Sequence, residues 1–121
     1  MTERTGLKYP ESIDKVSVSS EPDDGFYRLS IGQFENWEFI ENACDRLREK
    51  VEYYISAIRG NSLHKQFPEI KGRTGRITLM TYEPLPKNIE VLFGKLRIAA
   101  QSHGVQLDHW IIERTVGLPW V

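Results

Sequence analysis

The chain has 121 residues, a net charge of −1 and one cysteine, which describes a single globular unit without a disulfide framework. Hydrophobic residues make up 40% and charged residues 27%, a balance that excludes disordered and low-complexity chains. No apolar run is long enough to span a bilayer, the first dozen residues lack the apolar core of a secretory leader, and near-neutral charge argues against a nucleic-acid surface; the expected setting is cytoplasmic, with neither membrane nor nucleic acid as partner.

Residues 1–12 read as a polar lead-in, and 13–121 as one α/β domain. Ile13, Val16 and Val18 among polar neighbours predict a first strand over 13–19. The stretch 19–25 has turn composition, with Pro22 fixing φ and Gly25 permitting either sign. Tyr27, Leu29 and Ile31 alternate with Arg28 and Ser30, predicting a second strand in a hairpin with the first. Trp37, Ile40, Cys44, Leu47, Val51, Tyr54 and Ile58 are spaced 3, 4, 3, 4, 3, 4 and predict a helix over 37–59, with Asn36 as N-cap and Gly60 beyond its end. Residues 61–75 form a long connection that is either functional or hides a short element. Arg76 to Tyr82 read as a central strand. Pro86 opens a second helix carrying Leu85, Ile89, Leu92, Leu96 and Ala99, and Gly104 ends it. A last strand is expected over 105–113. The order β-β-α-β-α-β predicts a two-layer sandwich, a mixed four-stranded sheet with two helices on one face.

Ile13-Asp14 at a strand start, Trp37 at a helix start, and Leu47, Lys50, Val51, Tyr54, Ile58, Gly60, Leu63, Phe67 and Pro68 at their spacings resemble a family of small bacterial domains of unknown function. The similar pattern covers residues 13–82 and is most specific over 47–68. Members prefer Leu-Asn where this chain has Val51-Glu52, and Tyr where it has Phe67. The resemblance supports the fold class. It implies no catalytic residues.

The familiar constellations of chemistry are missing. His103, Asp108 and His109 match no metal-ligand spacing, and His64 stands alone, so no metal or cofactor is expected. Cys44 sits in the apolar stripe and reads as a core thiol, not a nucleophile. Gly72-Arg73-Thr74-Gly75 looks like the clamp of an RNA-binding KH domain, but strand follows where that clamp needs helix. No lysine follows the glycines as a phosphate loop requires.

Charge is lopsided instead. Residues 21–45 hold seven acids against Arg28 alone, whereas 63–76 hold Lys65, Lys71, Arg73 and Arg76 against Glu69. On the predicted helix Glu38, Glu41 and Asp45 share one face, near the acidic turn at Asp23 and Asp24 and beside Trp37, an aromatic of the kind that anchors interfaces. These six residues are the candidate partner-binding set. The expectation is a non-catalytic protein-interaction domain, in form an immunity-type inhibitor of a basic partner protein. Two alternatives stand beside it. One is a small enzyme or small-molecule binder with a pocket between the sheet and the 61–75 connection; the other is an oligomerising module using an open sheet edge.

Overall fold

The computed structural model describes residues 6–10, 13–18, 25–60 and 62–113. Strands β1 (Lys15–Val18), β2 (Phe26–Gln33), β3 (Thr74–Thr81) and β4 (Gln106–Ile111) form one sheet in that spatial order. β1 and β2 pair antiparallel, while β2, β3 and β4 run parallel and need helical crossovers to return the chain. Helices α1 (Ala43–Arg59) and α3 (Lys87–Ser102) are those crossovers. Val16, Leu29, Ile77 and Leu107 lie in register across all four strands and join the core under the helices. Tyr27, Leu29, Ile31, Ile77 and Leu79 are buried on that face. The opposite face carries Arg28, Arg76 and Trp110, with no described helix over it. The predicted mixed four-stranded sandwich is the observed architecture.

The first long helix begins later than its apolar spacing predicts. Trp37–Phe39 form a separate 3-10 turn, capped by Asn36 Oδ1 accepting from the Glu38 N–H at 3.2 Å. Ile40 is extended, and Asn42 adopts a left-handed conformation (φ 55°) before α1 starts at Ala43. Asparagine tolerates that conformation better than most residues. The break turns Ile40 into the core without continuing the helix. The stripe beyond it holds, with Leu47, Val51 and Tyr54 fully buried. Cys44 is corrected from core to rim: it is half-buried at the helix start, where Asn88 Nδ2 lies 3.6 Å from its sulfur. In α3 the buried set is Ile89, Leu92, Phe93, Leu96 and Ala100, so Ala100 replaces Ala99.

Two further segments are more ordered than composition suggests. The 61–75 connection contains a third helix, α2 (Ser62–Gln66), and a 3-10 turn (Pro68–Ile70). Buried Leu63 and Ile70 anchor them to the core. Within the expected polar lead-in, Leu7 is fully buried and residues 6–10 belong to the folded unit. What holds them there is a buried charge.

Candidate functional site

That charge is Lys50, placed on α1 between Leu47 and Val51 and fully buried. Its Nζ donates to Asp14 Oδ1 (2.6 Å), to the Gly6 carbonyl (2.7 Å) and to the Tyr9 carbonyl (3.1 Å). Three acceptors use all three protons of an ammonium and would exceed the two of a neutral amine. Asp14 Oδ2 accepts from the Gly6 and Gly32 N–H groups at 3.0 and 2.9 Å. Both carboxylate oxygens therefore accept, and the pair is ionic. Burial pushes the Asp14 carboxyl up and the Lys50 ammonium down from their ordinary pKa values, each opposed by its partner's charge. Tyr54 completes the cluster. Its hydroxyl donates to the Ser30 carbonyl (2.9 Å) and accepts from the Asp14 N–H (2.8 Å). Burial first, and the Asp14 charge second, hold the phenol well above its usual range. Every valence is met and neither charged side chain is exposed, so the cluster is a clamp and offers nothing to a ligand.

The clamp positions the segment that follows β2. Gln33 Oε1 accepts from the Leu7 N–H at 3.0 Å, and its Nε2 donates to the Glu35 carbonyl at 3.3 Å. Glu35 also pairs with Lys8 at 2.9 Å. The chain leaving β2 is thereby fixed against residues 7 and 8, and a cleft of about 770 Å³ opens between it and the chain leaving β3. It lies beyond the carboxyl ends of two parallel strands, where sheets of this kind commonly bind ligands. Phe34, Trp37, Phe39 and Tyr82 supply its aromatic walls, Pro84 and Pro86 its far side, and Glu35, Glu38 and Glu83 its carboxylates. The Phe34 and Tyr82 ring centroids are 4.8 Å apart. Phe39 is 70% exposed.

A second cleft of about 490 Å³ shares Trp37, Glu38 and Pro86 with the first and continues past Ile40, Cys44 and Asp45 to Asn88. Among the described residues of both linings there are four acids (Glu35, Glu38, Asp45, Glu83) and no Lys, Arg or His. Of the expected binding set, the structure thus brings Trp37, Glu38 and Asp45 together. They do not meet as predicted, however. Glu38 belongs to the 3-10 turn and Asp45 to α1, so the three acids share no helical face. Glu41 lies in the intervening turn and lines neither cleft; its carbonyl accepts from Arg46 Nε at 2.8 Å. Asp23 and Asp24 lie outside the described residues.

Phe34, Tyr82, Glu83, Pro84 and Pro86 complete the site, and none was in the candidate set. Their signal was weak: an aromatic followed by an acid where each of two strands ends, Phe34-Glu35 after β2 and Tyr82-Glu83 after β3. Gly72 turns at φ 83° ahead of β3, so the glycine pair forms a strand entry. His103 lies 3.2 Å from Arg59 and His109 lies 2.8 Å from Thr81. Among the described residues no group of three or more His, Cys, Asp or Glu is placed to hold a metal ion. No described helix is long and apolar enough to cross a membrane. The chain matches no family model, no curated protein and no solved structure at a significant level.

Proposed function

We propose that this chain is a small protein-interaction domain that receives a basic segment of a partner protein in the paired clefts at the carboxyl ends of β2 and β3. The observation that carries this reading is the composition of the linings: four carboxylates around aromatic and proline surface, with no base among the described lining residues. Carboxylates attract and orient a cation, and aromatic faces hold it by their quadrupole. Glu35 has a surface partner in Lys8, and Asp45 has one in Arg48 at 3.1 Å. Such exposed pairs contribute about 0–1 kcal/mol and exchange readily for an incoming cation. An inhibitor of the immunity type, occluding a cationic partner, is the specific form of this function that the cleft suits. The alternative, a small enzyme or small-molecule binder, needs a pocket between the sheet and the 61–75 connection; the two clefts described lie at the opposite end of β3.

The test is capture from the native host with wild-type bait and with Glu38→Lys/Asp45→Lys bait. Wild type should retain a basic protein that the reversed bait loses, and hydrogen exchange in the complex should slow at 34–39 and 82–86. A partner held equally by both baits, with protection elsewhere, would refute the assignment.

A further inference from the structure

Among the described residues β4 is an outer strand, and its outer edge has a definite pattern. The Ile112 N–H donates inward to the Thr81 carbonyl (2.9 Å), while the Leu107 carbonyl accepts from Arg97 Nε (3.1 Å) outside the sheet. Alternation along a strand then turns the N–H and C=O of residues 107, 109 and 111 away from β3. Of these six groups, the Leu107 carbonyl alone has a described partner. Trp110 and Ile111, on the same strand, are 40% and 55% exposed. An open edge of this kind is a template for another strand.

A groove of about 270 Å³ runs beside the edge, lined by Glu90, Phe93, Gly94 and Arg97 of α3 and by His109 and Ile111 of β4. Gly94 stands in a helix interior, where glycine is destabilising relative to alanine. A Cβ built there meets nothing within 4 Å, so no contact among the described residues requires a glycine. Glu90 and Arg97 flank it at nearly equal distances along the helix, opposite in charge. The levels of the two elements also agree. The Phe93 ring lies 6.0 Å from the His109 ring, and Arg97 reaches Leu107. Residues 93–94, the centre of the charge reversal on α3, are therefore level with His109, the centre of the outward-facing triplet on β4.

We propose that the β4 edge and the α3 flank pair with a second copy of this chain, antiparallel, about a two-fold axis at the level of His109 and Gly94. Each His109 then exchanges both backbone bonds with its counterpart, and residue 107 of one copy lies opposite residue 111 of the other. The Leu107 carbonyl can accept a second bond while keeping Arg97. Glycine lets the two α3 flanks approach, and Glu90 of each copy meets Arg97 of the other. A two-fold interface demands this self-complementarity. A foreign strand could use the edge, but it would leave the matched reversal of charge on α3 unexplained.

Sedimentation of the full chain tests this. Wild type should sediment at twice the 14.1 kDa chain mass. Glu90→Arg and Arg97→Glu should each weaken association roughly tenfold or more by juxtaposing like charges. An equimolar mixture of the two variants should recover it, because in the mixed pair both contacts again join opposite charges. Should Arg97→Glu fold poorly for loss of its bond to Leu107, Gly94→Leu takes its place, since the added side chain obstructs nothing but the helix approach; it should abolish the dimer while the variant stays folded. A wild-type monomer throughout the micromolar range would overturn the proposal. So would a dimer indifferent to these substitutions, or a mixture no tighter than its components.

Discussion

The Lys50 ammonium and the Asp14 carboxylate lie 2.6 Å apart, with neither side chain exposed to solvent. Removing one member strands the other charge in the core, an effect of about 3–5 kcal/mol. Lys50→Met should therefore destabilise by about that amount and also orphan the Gly6 and Tyr9 carbonyls. Asp14→Asn/Lys50→Met should cost clearly less than the sum of its two components. Urea unfolding of the four proteins measures the coupling, and strict additivity would contradict an ionic pair.

Gly75 faces Ile58 across the α1–β3 contact. A Cβ on Gly75 would sit 2.9–3.0 Å from three carbons of that isoleucine. Gly75→Ala should thus cost about 1–3 kcal/mol by overpacking. Adding Ile58→Ala should recover part of the loss through relieved strain, a non-additive outcome visible in a double-mutant cycle.

His109 gives the stability a pH dependence. The Thr81 hydroxyl donates to the Glu83 carbonyl at 2.6 Å, so its oxygen accepts from His109 Nε2 and fixes the neutral tautomer. Burial, and next the Arg97 charge, hold the imidazole below its usual pKa of 6.5, with Asp108 opposing. Between the folded and unfolded values the unfolded chain binds more protons. This contribution is therefore complete above pH 6.5 and is lost as pH falls through the folded value. Melting temperature should drop on acidification below neutrality, and His109→Gln should flatten that slope.

Asn42 separates the 3-10 turn from α1 at φ 55°. Asn42→Val should cost about 1–2 kcal/mol, because a branched side chain resists the left-handed region. Asn42→Gly should stay within a few tenths of wild type. If valine were tolerated equally, the helix would have to extend back through residue 40, as the apolar spacing alone suggests.

That spacing illustrates what could be read from the chain. Leu47, Val51 and Tyr54 declare a buried helical face, and alternation at Tyr27, Leu29 and Ile31 declares β2, because burial of a regular element imposes its period on the sequence. Trp37 and Ile40 fall on the helical period only by coincidence, since Trp37 packs on the core from a 3-10 turn and Ile40 from extended backbone. Asp14 and Lys50 stand 36 residues apart, and no local pattern joins them. A lysine three residues after Leu47 on a buried stripe was the available signal, because a base in that position needs an acid. The acids of the cleft were legible as a surplus, but their meeting place was not. It depends on two loops brought together by the parallel pairing of β2 with β3, which no spacing within either loop encodes.

The cleft walls come from the chain just after β2 and just after β3, outside the ladder of paired strands. Exposed positions there, such as Phe39 and Glu38, can change without disturbing the sheet or the Lys50 clamp. Recognition and architecture are therefore free to diverge at different rates. Under the proposed function, descendants of this scaffold that bind different partners should vary at 38, 39 and 45, and should keep 14, 47, 50 and 54 as one inherited unit.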